Sequence, residues 1–148
     1  MKRLLPLLLI AGCDSSAPAP APPANSAAPM AAQAPPPTEE AIAESRAAAE
    51  ALRLYYDRIA SGDYRAAWDL REQRPGLSYE RFAASFERYE DYRATVGAPT
   101  LPAEQDGTLW VEAPVQLYGR MRGGRPFGSV GRVVMKRAAG TRAWKVAA

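Results

Sequence analysis

The sequence predicts an α+β domain in which N-terminal helices pack on one face of a curved antiparallel sheet. Three observations carry this expectation. Between Thr38 and Tyr89 the apolar residues recur at helical spacing, whereas after Asp91 they fall in short alternating runs separated by Gly, Pro or charged turns. Residues 39–148 suit one small domain with a single modest core. What precedes them is too short or too biased in composition to fold.

The chain begins with Lys2 and Arg3, an apolar run from Leu4 to Ala11, and the small pair Ala11-Gly12 before Cys13, the only cysteine. A basic start, a short apolar run and small residues make an export signal, and the run falls well below the ~20 residues a membrane span needs. Ile10-Ala11-Gly12-Cys13 resembles the lipobox of bacterial lipoproteins. That resemblance implies that residues 1–12 are a signal peptide to be removed, and that Cys13 is acylated by palmitate-type chains and becomes the new N-terminus. Several acyl chains at ~0.8 kcal/mol per CH₂ make a stable anchor, where one chain is marginal. Asp14 resembles the signal that retains such lipoproteins in the inner membrane.

From Cys13 to Thr38 the chain is nearly all Ala, Pro, Ser and Gln, with Asp14 its one charge. Such a stretch cannot offset its ordering entropy, so residues 13–38 are expected to be a disordered tether to the domain at 39–148.

Within the domain, Thr38 is placed to cap a helix whose Leu52, Tyr55, Tyr56 and Ile59 form one stripe, and Ser61-Gly62 ends it. Asp63 caps a shorter helix with Tyr64, Ala67, Trp68 and Arg71 on one face. After the break at Arg74-Pro75-Gly76, Ser78 caps a third, with Leu77 and Phe82 as a staple across its first turn and Phe82, Phe86 and Tyr89 as its stripe. Four extended runs follow, beginning at Tyr92, Leu109, Phe127 and Arg142. In the second, Leu109, Val111, Ala113, Val115 and Leu117 alternate with Trp110, Glu112, Gln116 and Tyr118, the period of a half-buried strand. Gly123-Gly124 supplies the positive dihedrals of a tight hairpin, which as a two-residue turn would set Arg122 opposite Arg125. Ala139-Gly140 marks the next turn.

Composition removes several chemistries. The chain has no histidine and one cysteine, which excludes zinc clusters, histidine-ligated haem and Ser-His-Asp or Cys-His nucleophile systems. The glycine-rich stretches around Gly119 and Gly131 lack a Walker lysine pattern and a strand-turn-helix context. No cofactor or metal is expected.

The segment from Tyr55 to Trp68, a long helix broken at Gly62-Asp63 and followed by a short aromatic-bearing helix, resembles the NTF2-like or SnoaL-like superfamily. The long hairpin strands and the closing Trp144-Lys145-Val146 fit as well, so the resemblance covers about residues 40–148. It implies an α+β fold with a cone-shaped pocket between helices and sheet, used by some members as an enzyme site and by others for binding or dimerisation. Tyr55, Tyr56, Trp68 and Trp110 are the aromatics expected to line that pocket or to fill the core. In the ketosteroid isomerase branch a first-helix tyrosine works with a strand-borne aspartate, and Tyr55 falls near that tyrosine's register. No acidic partner is evident, because the segment from Arg71 to Glu80 lacks a strand-forming acidic run and no carboxylate follows Glu112. An acid-base pair needs two groups whose pKa values are pushed apart, so no catalytic residue is assigned.

Charge is the last feature. All sixteen acidic residues lie at or before Glu112, whereas Arg120, Arg122, Arg125, Arg132, Lys136, Arg137, Arg142 and Lys145 follow it. Two readings stand side by side: an anion- or partner-binding face centred on Arg120, Arg122 and Arg125, or pairing with carboxylates of the helical half. The sequence thus points to a membrane-anchored cell-envelope lipoprotein, facing the periplasm or cell exterior, whose domain is a non-enzymatic binding or assembly module. The alternatives are a small-molecule carrier or ketosteroid-isomerase-like enzyme using the pocket, and an envelope structural or accessory protein acting through the basic hairpin. The expected partners are a lipid bilayer through acylated Cys13, an envelope protein or anionic lipid, and a second copy as a homodimer. Nucleic acid is not among them.

Overall fold

Local capping chemistry sets the helices. In the computed structural model, which describes residues 35–147, the Thr38 hydroxyl accepts the Ala41 N–H at 3.1 Å and opens α1 (Glu39–Ala60). Glu39 and Glu40 complement the positive end of its first turn. One face is buried, from Ser45 through Ala48, Leu52, Tyr55 and Tyr56 to Ile59. The Asp63 carboxylate accepts from the Ala66 N–H at 3.2 Å and opens α2 (Tyr64–Asp69), while the Ser78 hydroxyl accepts from the Arg81 N–H at 3.3 Å and opens α3 (Tyr79–Ala84). The expected signal peptide at 1–12, Cys13 and the expected tether as far as residue 34 lie outside the described residues; positions 35–38 carry no regular secondary structure. No helix among the described residues is long and apolar enough to cross a membrane.

The third helix is shorter than its apolar spacing suggests. It ends at Ala84, where the Ser85 hydroxyl turns back onto the Phe82 carbonyl at 2.7 Å, so Phe86 sits in a turn and Tyr89 already begins a strand. Leu77, expected as the staple, is 40% exposed and lies outside the core cluster; Phe82 packs on Trp68 and Tyr55 instead.

The sheet comprises β1 (Tyr89–Val96), β2 (Ala103–Gln105), β3 (Thr108–Met121), β4 (Pro126–Ala138) and β5 (Lys145–Val146), all antiparallel. Its order is β1-β3-β4-β5, and β2 pairs with the first residues of β3, beyond the stretch covered by β1. As the alternation predicts, Val111, Ala113 and Val115 of β3 are buried against α1 residues. Beyond β5 the chain leaving α2 closes the edge. Arg71 bridges Val146 in parallel, Val146 N–H donates to the Leu70 carbonyl, and Glu72 N–H to the Val146 carbonyl, both at 2.9 Å.

The hairpin differs from expectation. Arg120 pairs with Pro126, Met121 N–H donates to the Arg125 carbonyl at 2.8 Å, and Gly124 N–H closes a turn onto Met121 at 3.0 Å. The loop is therefore three residues long, Arg125 stands opposite Met121, and the like-charge pairing of Arg122 with Arg125 does not arise. Gly123, at φ 94°, occupies the turn position where a positive dihedral is required.

Candidate functional site

The space between helices and sheet is filled by rings. Tyr55 meets Tyr56 edge-on at 5.0 Å, Trp68 meets Phe82 at 5.3 Å, and the series continues through Phe86 and Tyr92 to Phe127. Several clefts stay open around these rings: one of about 440 Å³ between α1 and the sheet, lined by Tyr56, Asp57 and Asp91 among others, and one of about 460 Å³ beside β4, where β5 pairs with only two residues. Tyr55 and Tyr56 of α1, Arg71 after α2, Trp110 of β3, and Val134 and Val146 of the sheet line the second. Arg74 and Arg132 also contribute, and among the described residues no Asp or Glu is part of the lining. Of the four aromatics expected around a pocket, Tyr55, Tyr56 and Trp110 meet here. Trp68 lies one layer inward, buried beneath Arg71.

The electrostatics of this cleft are lopsided. Burial pushes the Tyr55 phenol up, partly opposed by the nearby Arg71 guanidinium, and burial with the adjacent Tyr55 raises Tyr56 to about 12. Both phenols are thus neutral hydrogen-bonding groups at pH 7. Arg74 pairs with Glu72 at 3.0 Å and Arg132 with Glu112 at 2.7 Å. Arg71 has no carboxylate partner among the described residues. Its guanidinium lies over the Phe82 ring at 5.1 Å and the Trp68 ring at 5.8 Å, and its Nε is buried with no acceptor. Trp110 Nε1 is likewise a buried donor without an acceptor.

Sequence reasoning placed Arg71 on the face of Trp68 but did not single it out as a site residue. The available signal was its spacing: three positions after Trp68, it is the charged member of an otherwise apolar stripe.

The basic block divides. Lys136 pairs with Glu72, Arg137 with Glu44 at 2.6 Å, and the Lys145 ammonium donates to the Asp69 carbonyl, so these three reach the helical half. Arg120, Arg122 and Arg125 are exposed at the hairpin end. Arg122 donates through Nε to the Glu87 carbonyl and through its N–H to the Arg88 carbonyl at 2.8 Å. Arg120 lies across from Asp91 of β1. Among the described residues no group of three or more His, Cys, Asp or Glu side chains is arranged to hold a metal ion.

The sequence matches no protein-family model, and no curated protein matches it. Solved structures do. A candidate aromatic-ring hydroxylase of Novosphingobium aromaticivorans superposes with a TM-score of 0.59 at 17% identity, covering 71% of this chain and 85% of its own. The association domain of C. elegans CaMKII gives 0.54 at 12%, over 74% and 95%. A candidate dehydratase of the NTF2-like family from Streptomyces avermitilis gives 0.52 at 14%, over 71% and 91%. Helices followed by a curled antiparallel sheet, together with these neighbours, make the domain NTF2-like in fold. At such identities the likeness speaks for fold alone.

Proposed function

We propose that the chain is a lipid-anchored cell-envelope protein whose NTF2-like domain binds a small molecule in the cleft beside β4 without transforming it. One observation carries the binding reading: the cleft joins aromatic walls to three arginines with no Asp or Glu in its lining among the described residues. Such a lining supplies donors and apolar surface, the usual makings of a ligand site, but no acid-base pair set apart in pKa. Because Arg122 is engaged by backbone carbonyls, the hairpin is the weaker candidate for recognition.

The anchor rests on Ile10-Ala11-Gly12-Cys13 following a basic start and an apolar run, with Asp14 favouring the inner membrane. The two parts are tested separately. Cys13→Ser should abolish fatty-acid labelling and leave an unprocessed precursor; a persisting label would refute the anchor. Native mass spectrometry of the full chain extracted from membranes should find a non-covalent small molecule that is recovered unchanged after incubation. Its conversion would overturn the non-enzymatic reading.

Pairing with a second copy has one supporting feature. Among the described residues, no strand other than β3 borders residues 128–132 of β4, and Val130 there is 80% exposed. A strictly monomeric full chain in sedimentation equilibrium would remove that support.

A further inference from the structure

We infer that Arg71 is the anion-recognition residue of the cleft, and that the cleft takes a small carboxylate with a flat apolar body. This rests on the reading of the cleft as a binding site and specifies its ligand. Every other basic residue in the lining is neutralised: Arg74 by Glu72 at 3.0 Å, Arg132 by Glu112 at 2.7 Å. Arg71 alone in the lining carries an uncompensated charge, and its Nε is already withdrawn from water. A half-buried cation without a counter-ion is costly to maintain unless something pairs with it, and an arginine fork matches a carboxylate in geometry as well as charge.

The rest of the lining agrees with that ligand. The Tyr55 and Tyr56 phenols of the same lining stay protonated at pH 7 and able to donate. A lining of donors favours a ligand that only accepts, which is what an ionised carboxylate does. Val134, Val146 and the Trp110 ring supply the apolar walls.

A comparison within the same molecule isolates the point. Arg137 and Trp144 repeat the arrangement, with the guanidinium 5.7 Å from the ring centroid and both Nε and Nε1 buried without acceptors. There, however, Glu44 takes the guanidinium at 2.6 Å and the Thr141 carbonyl adds a bond at 2.7 Å. The Arg137 site is completed by the protein itself. At Arg71 no described residue supplies the corresponding carboxylate, and the position lines an open cleft.

The test uses benzoate and benzamide, which share ring and size and differ in charge, on the full chain, with dissociation constants from ligand-observed NMR. Benzoate is expected to bind at least about tenfold more tightly, the factor that 1.4 kcal/mol produces and the lower end of a charge-assisted bond. Arg71→Met should erase the preference while leaving benzamide binding in place, and Arg71→Lys, which keeps charge but loses the fork, should retain part of it. Equal binding of the two probes by the unmodified chain would overturn the inference and leave the cleft as a neutral-ligand site. Binding of neither at millimolar concentration would overturn the inference and the binding reading together. If Arg71→Met failed to fold, the benzoate-to-benzamide ratio and the Lys variant would still decide. A benzoate preference that survived loss of Arg71 would place the site elsewhere and refute the assignment.

Discussion

Gly119 offers the sharpest check on the architecture that holds the sheet together. It lies on β3, opposite Tyr92 of β1 and Phe127 of β4, next to the point where the β1 register shifts between Tyr89 and Asp91. Its φ is 151°, a region rarely open to residues with a side chain. A Cβ there would overlap the Asp91 carbonyl oxygen, lie 2.8 Å from the Asp91 carbonyl carbon and press on Phe127 Cε1 at 3.1 Å. Because the first two atoms are backbone, no rotamer change relieves the contact; β1 has to move away from β3. Backbone strain of this kind costs about 1–3 kcal/mol, and overpacking against Phe127 adds about 1–3 more. Gly119→Ala should therefore destabilise by about 2–6 kcal/mol, a fall of roughly 4 °C or more in Tm for each kcal/mol in a domain of this size. Gly131→Ala is the control: no atom lies within 4 Å of its added Cβ and its φ is not positive, so the change should be close to neutral. The assay is urea unfolding of the full chain followed by tryptophan fluorescence. Equal midpoints for Gly119→Ala and Gly131→Ala would refute the close approach of β1 and β3 at Asp91.

Two ion pairs give further expectations. The bond from Lys136, with help from Arg74, holds the Glu72 carboxyl below its ordinary value of 4.5. Its contribution is therefore present above the unfolded value and is lost as pH falls through the lower folded value. Glu72→Gln should cost roughly 1 kcal/mol at pH 7, and urea midpoints of variant and parent should converge below pH 4.5; a gap that widened on acidification would contradict the pairing. Glu44→Ala leaves the Arg137 guanidinium, whose side chain is 19% exposed, with only the Thr141 carbonyl and the Trp144 face. It should cost about 1–3 kcal/mol, and the double change with Arg137→Met should cost less than the sum of the two single changes. Additive single effects in that cycle would show that the pair is not coupled.

How legible these features are in the sequence depends on how far each signal travels along the chain. Thr38, Asp63 and Ser78 read correctly as caps because an N-cap acts on a backbone N–H only three residues ahead. The alternation of Val111, Ala113 and Val115 reads correctly because burial on one sheet face repeats every second residue. By contrast, β2 consists of three exposed residues held only by pairing with β3, so it has no pattern of its own. Phe82, Phe86 and Tyr89 keep a helical spacing although the helix stops at Ala84, because a turn and a strand start can feed the same series of ring contacts, Phe82 on Phe86, Phe86 on Tyr92 and Tyr89 on Tyr92. The site shows the same division. Tyr55 and Tyr56 are visible as a stripe on α1, whereas Arg71 acquires its meaning from a bridge to Val146, seventy-five positions away. The internal pairing of part of the basic block is likewise visible only through space, with Lys136 and Arg137 reaching Glu72 and Glu44.

That through-space pairing also explains how Arg71 can stay unpaired beside a glutamate. Adjacent residues of an extended segment direct their side chains to opposite sides, and the bridge to Val146 holds residues 71 and 72 in that state. Glu72, the carboxylate nearest to Arg71 in sequence, is drawn by Lys136 and Arg74 to one side, while Arg71 lies over Trp68 and Phe82 on the other. The latch that fastens this segment to the sheet thereby draws the adjacent carboxylate away from the arginine. Stability at the sheet edge and an available positive charge in the cleft then follow from the same two neighbouring residues. The polarity of the pair matters: exchanging the identities of residues 71 and 72 would set a carboxylate over two aromatic faces, whose negative quadrupoles repel it, and an arginine between two cations.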